Sequence, residues 1–134
     1  MKFIPYLVFA GKAEKAMNYY KEALGGQITQ IERFGSMKDA NTPEAIKDYV
    51  LHGEVKVGEL VIYFSDSPRP VAQGDNVTLL VDFPTEAEID RCYKALSVES
   101  TIDVPLGATF WGAKYANLKD KFGVTWQLNF QYPK

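Results

Sequence analysis

Two stretches of this chain lie over one another, with the same order of elements around them. "FAGKAEKAMNYYKEAL" (9–24) matches "FPTEAEIDRCYKAL" (83–96) with a two-residue gap. Phe9 falls over Phe83, Ala13 over Ala87, Glu14 over Glu88, Tyr19 over Tyr93, and Ala23-Leu24 over Ala95-Leu96. Farther on, "VGELVIYF" lies over "FGVTWQLN" on the glycines Gly58 and Gly123. Agreement of order, spacing and letters marks a duplicated module.

The module reads as βαβββ. "KFIPYLVFA" and "NVTLLVDF" are apolar, strand-forming runs that lead into the matched segments. Pro5 makes the first an edge strand or stands at its rim. Ala13, Ala16, Met17, Tyr20 and Leu24 recur at helical spacing, and Gly25-Gly26 stops that helix. In the second helix Ile89, Cys92, Tyr93 and Leu96 form the stripe, with Thr85 and Glu88 as a capping box. "QITQIERF", "VLHGEVKV" and "LVIYFSD" supply the other strands of module one, the last two joined at a Gly58-Glu59 hairpin. "TIDVPLGA", "WGAKYANL" and "VTWQLNF" supply those of module two. Between "QITQIERF" and "VLHGEVKV", "GSMKDANTPEAIKDY" is turn-rich, with Thr42-Pro43 as the start of one helical turn.

The expected fold is therefore α+β. Two tandem βαβββ modules form a curved mixed-sheet half-barrel cleft, with the helices packed outside. Residues 1–134 make one domain: module one at about 1–67, a Pro/Gly linker at 68–74 and module two at about 75–134.

Composition narrows the function. A net charge of -2 offers no electrostatic footprint for nucleic acid or an anionic membrane. No apolar run reaches the roughly 20 residues of a membrane span. The single cysteine, Cys92, excludes an internal disulfide framework and falls on a buried helical stripe, so a cytoplasmic protein is expected. There is no glycine-rich nucleotide loop and no nucleophile elbow.

Strand alternation selects the candidate site residues. In "VTWQLNF", Val124, Trp126, Leu128 and Phe130 should face the helix, and Thr125, Gln127 and Asn129 the cleft or open solvent. Tyr6, Tyr63, Phe110, Trp111 and Tyr115 are the aromatic candidates for its walls. In "YVLHGEVKV", alternation puts Val50, His52 and Glu54 on one face. His52 reads either as a general base or hydrogen-bonding group toward a ligand, or as a structural histidine bonded to a backbone carbonyl.

"IPYLVFAGKAEKAMNYYKEALGG", "HGEVKVGELVIYFSD" and "FWGAKYANLKDKFGVTWQLNF" together span most of the chain. In them the protein resembles the vicinal oxygen chelate superfamily, which includes glyoxalase I, the bleomycin- and fosfomycin-resistance proteins and extradiol dioxygenases. It is most similar to the PhnB-like branch, and the resemblance implies that a histidine in the segment of His52 is a family feature. Metal-dependent relatives use four cleft positions, usually two His and two Glu. The resemblance puts Pro5, Tyr63 or Ile62, Asn76 with Val77 and Thr78 following, and Gln127 at those positions. With one histidine in the chain, a two-histidine site within one chain is impossible. Methyltransferase labels attached to this branch find no support, since no glycine-rich cofactor loop follows a strand.

The reading that follows is a metal-independent binder of a small organic molecule, without a cofactor. Tyr6, Tyr63, Trp111, Tyr115, Thr125 and Gln127 would contact the ligand. The alternative is a lyase or isomerase using His52 as base, or a weak divalent metal site recruiting His52 and Gln127. A third possibility is a structural or partner-binding module. Apolar edges such as "KFIPYLVF" also lead to a homodimer as the expected assembly.

Overall fold

Helix α1 (Ala13–Leu24) buries Ala13, Ala16, Met17, Tyr20 and Ala23. Ala23 takes the inward place expected of Leu24, which is only half-buried. Gly25 closes the helix in the left-handed conformation at φ 72°. These features come from a computed structural model, which describes residues 1–37 and 41–134. The sequence expectation of a turn-rich loop falls partly on residues 38–40 and there lies outside the described residues. The chain divides into two units, Met1–Ala72 and Gln73–Lys134.

Unit one contains β1 (Tyr6–Phe9), α1, β2 (Gln27–Arg33), β3 (Val50–Val57) and β4 (Leu60–Asp66). Its sheet has the order β1-β4-β3-β2. β1 runs parallel to β4, and the other pairings are antiparallel. Unit two repeats the pattern with β5 (Leu79–Asp82), α2 (Glu86–Leu96), β6 (Thr101–Ala108), β7 (Ala113–Lys119) and β8 (Thr125–Gln131). Its order is β5-β8-β7-β6, with β5 parallel to β8. The α+β fold with two tandem βαβββ units is thus present.

Each helix covers one face of its own sheet. Met17, Tyr20, Val55, Ile62 and Phe64 are buried in unit one, and Tyr20 stacks on Phe64 at 5.9 Å. Each such side chain contributes about 1.5–3 kcal/mol by leaving water. In unit two, Ile89, Cys92 and Leu96 of α2 are buried, as are Leu118, Trp126 and Leu128 of the sheet. Tyr93, Val124 and Phe130, expected inward, are only half-buried. Phe130 meets Tyr132 edge-on at 5.3 Å.

Several local expectations are corrected. The first strand begins at Tyr6, after the Pro5 that cannot donate to a ladder. The 3-10 turn Glu44–Ile46 follows Pro43, and no side chain caps it. The Thr42 hydroxyl donates instead to the Phe34 carbonyl at 3.4 Å. At α2, Thr85 accepts from the Glu88 amide at 3.2 Å, which is half of the expected box. The Glu88 carboxylate takes the Thr85 hydroxyl at 2.8 Å rather than the backbone amide.

A bulge also changes the face of Val50. Glu32 pairs with His52 and Arg33 with Val50, so Leu51 is the extra residue. Val50 is therefore fully buried, while His52 and Glu54 are half-buried. Gly53 between them points toward α1. A Cβ there would come within 2.6 Å of the Met17 sulfur and methyl, so the Met17 side chain would have to shift to admit one.

Candidate functional site

The sheet face of unit one that α1 leaves uncovered carries an aromatic cluster. Tyr6 pairs with Tyr63 across β1 and β4, Tyr63 with Glu54 across β4 and β3, and Glu54 with Gln30 across β3 and β2. These four side chains form one row. Tyr63 meets Tyr6 at 5.7 Å and His52 at 4.7 Å between ring centroids, both edge-on. The Tyr6 hydroxyl lies 3.1 Å from His52 Nδ1, where it donates to the Nε2–H tautomer. His52 is thus bonded to a side-chain hydroxyl, not to a backbone carbonyl. Of the alternatives at the fourth strand, Tyr63 faces this cluster and Ile62 is buried in the core.

Unit two carries a polar chain on the corresponding face. The Tyr115 hydroxyl donates to Gln127 Oε1 at 2.6 Å, and Gln127 Nε2 donates to Thr78 Oγ1 at 2.9 Å. Both ends of the amide are therefore engaged. Next along β8, Asn129 Nδ2 donates to Asp82 Oδ1 at 2.9 Å. Trp111, more than half exposed in the turn before β7, meets Tyr115 edge-on at 6.4 Å. Phe110 meets Trp111 at 4.9 Å. Thr125 lies one step before this chain, and its hydroxyl oxygen is buried without a hydrogen-bond partner among the described residues.

The six ligand-contact candidates and His52 thus fall in two groups, each within one unit. Tyr6, His52 and Tyr63 are in mutual contact. Trp111, Tyr115 and Gln127 are linked in series, with Thr125 beside them. Sequence reading missed Glu54 as a member of the first group and Thr78 as the partner of Gln127. Glu54 was already on the His52 face by alternation, a signal that would have found it.

Several other charged groups tie elements together. Lys114 Nζ lies 2.6 Å from Asp90 Oδ1 and 3.0 Å from Glu86 Oε2, and the Tyr132 hydroxyl donates to Glu86 at 2.8 Å. The bonds from Lys114, and then from Tyr132, hold the Glu86 carboxyl below its ordinary range. Arg33 grips both carboxylate oxygens of Glu14 at 2.9 and 2.8 Å, tying β2 to α1. Burial pushes the Cys92 thiol up to about 12, so it is not a thiolate at neutral pH. No helix among the described residues is long and apolar enough to cross a membrane.

Comparison with known proteins adds to this geometry. The model of the family described as "3-demethylubiquinone-9 3-methyltransferase" matches residues 1–129. Protein YjdN of Escherichia coli is 30% identical over 139 residues, covering 96% of this chain and 95% of that protein. The crystal structure of protein PA1353 from Pseudomonas aeruginosa superposes with a TM-score of 0.84 at 30% identity, over 98% of each chain. A Bacillus cereus PhnB protein, described as a putative 3-demethylubiquinone-9 3-methyltransferase, gives 0.79 at 30% identity, over 97% of this chain and 99% of its own. The fosfomycin resistance protein FosX of Listeria monocytogenes gives 0.67 at 9% identity, over 98% and 93%. That last likeness is one of fold alone.

Proposed function

We propose that this chain, which belongs to the PhnB-like family described as 3-demethylubiquinone-9 3-methyltransferase, binds a small organic molecule without a tightly held metal ion. The observation that carries this reading is Gln127. Its amide is held at both ends, by Tyr115 and by Thr78, and the Tyr115 ring in turn meets the exposed ring of Trp111. A side chain fixed in this way is a wall for a ligand, with an aromatic surface next to it.

The donor set does not suit a divalent cation. At the four positions where metal-dependent relatives of this fold carry ligands, this chain has Pro5, Tyr63, the Asn76–Thr78 segment and Gln127. Pro5 has only its carbonyl, which accepts the Tyr63 amide at 3.0 Å. The Tyr63 ring packs edge-on against Tyr6 and His52, and the Thr78 hydroxyl and the Gln127 amide are bonded to each other. Neutral oxygens alone compete poorly with water for such an ion. Among the described residues no three His, Cys, Asp or Glu side chains come together as a metal-binding group.

His52 serves in this reading as a ligand-facing hydrogen-bond group. Its Nδ1 is taken by Tyr6, which leaves Nε2 as the free nitrogen. A homodimer in the cytoplasm completes the proposal. Strands β1 and β5 are sheet edges, and they expose Tyr6, Val8 and Leu80. Edges of this kind favour pairing with a second chain.

Native mass spectrometry of the protein purified from cells tests this. The expected spectrum is a dimer that carries an organic adduct, retained after treatment with a chelator. A monomer with no adduct would contradict both parts of the reading.

A further inference from the structure

We infer that the open face of the unit-one sheet receives an organic cation, an ammonium group carried on an apolar or aromatic body. This rests on the binding function proposed above and names the class of ligand for one of its faces.

Three observations combine. The rings of Tyr6, Tyr63 and His52 stand edge-on or tilted to one another at 4.7–5.8 Å, so that no two of them stack face to face. The face of a tyrosine ring is electronegative and attracts a cation, more strongly as water is excluded. Glu54, next to Tyr63 in the same row, is half-buried. It has neither a hydrogen bond nor an ion pair among the described residues. A second carboxylate, Glu32, is paired with His52 across the strands, and Gln30 Nε2 holds its Oε1 at 2.9 Å.

The contrast with the other carboxylates of the chain is informative. Glu14 and Glu86 are each matched by a basic side chain within 3.0 Å. Glu54 is less exposed than either and has no such match. Removing a carboxylate partly from water without a partner is unfavourable, and a cation over the tyrosines would supply that partner. The lysine on this face, Lys56, is exposed and lies beyond Glu54, paired with Val61 and away from the row of rings. Two carboxylates against one ammonium that makes no ion pair with either among the described residues leave these strand positions net negative. An anionic ligand would meet Glu54 and Glu32 directly, and a neutral one would leave Glu54 unpaired.

The test compares three phenyl compounds by calorimetry and by NMR shifts on the intact protein: benzyltrimethylammonium, benzyl alcohol and benzoate. Benzyltrimethylammonium is expected to bind about tenfold more tightly than either of the others, with shifts at Tyr6, Tyr63 and Glu54. Added salt should weaken it. Glu54→Gln has no internal bond to lose and should reduce that affinity about fivefold. Glu59→Gln, at the exposed hairpin turn, should leave it unchanged although it removes the same charge. Equal affinities, a preference for benzoate, or an unaffected Glu54→Gln variant would overturn the cation assignment and leave the broader binding function standing. Failure of all three compounds to bind, with no organic adduct in the native mass spectrum, would overturn both.

Discussion

Replacing Asp66 with alanine should destabilise the first unit by about 3–5 kcal/mol. Asp66 is almost fully buried, and its carboxylate accepts three backbone amides. Oδ1 takes Gly11 at 2.8 Å and Ala13 at 3.0 Å, and Oδ2 takes Val50 at 2.9 Å. Lys12, which precedes helix α1, provides no side-chain cap. The cap comes from the end of β4 instead, more than 50 residues along the chain. One side chain thus joins the start of the helix, the start of β3 and the end of β4. Alanine would leave those amides buried without acceptors, each costing about 1–3 kcal/mol before relaxation. Asparagine keeps one acceptor oxygen and should cost less. Urea unfolding monitored by amide NMR in α1 and β3 measures the effect. A loss below about 1 kcal/mol would mean that water reaches these amides and the bonds contribute little.

The second large effect is expected at Asp120, in the Asp-Lys-Phe-Gly turn between β7 and β8. Its Oδ1 accepts the Phe122 and Val124 amides at 2.8 and 3.1 Å, and its Oδ2 accepts the indole N–H of Trp126 at 2.8 Å. Gly123 stands at φ +90°, a conformation that side-chain-bearing residues rarely adopt. The carboxylate thus fixes the turn and satisfies the largest buried side chain of unit two. Asp120→Ala should cost about 3 kcal/mol and leave the indole N–H without its acceptor. The NMR resonance of that N–H should shift strongly upfield, and Asp120→Asn should restore part of the stability. Unchanged stability, with the indole resonance in place, would show that the turn holds without its carboxylate.

Much of the architecture could be read before the structure, for identifiable reasons. The α1 stripe, the Gly25 stop, the Gly58-Glu59 hairpin and the alternation in β8 are local patterns, set by residues within a few positions of one another. What escaped depends on groups far apart in the chain. Asp66 reads as the last polar letter of a strand, yet its partners are Gly11, Ala13 and Val50. The Leu51 bulge moved Val50 into the core, and strict alternation has no means of anticipating an extra residue. In the candidate site, the individual letters were legible but their partnerships were not. Tyr6 and His52 are 46 residues apart, and Gln127 and Thr78 are 49 apart. Laying the two halves over one another on their glycines put Ile62 opposite Gln127. Of the two registers the sequence left open, the structure keeps Tyr63 on the face away from α1 and buries Ile62, and the turns at Gly58 and Gly123 differ in length.

The proposed function requires that Tyr63, Thr78 and Gln127 take up no divalent cation. Titration of the protein with zinc or nickel, followed by NMR at Tyr63, Thr78, Tyr115 and Gln127, tests it most directly. The expected result is no saturable shift at any of the four, with the Tyr115–Gln127–Thr78 bonds intact throughout. Stoichiometric, saturable shifts at Gln127 and Tyr63, reversed by a chelator, would contradict it.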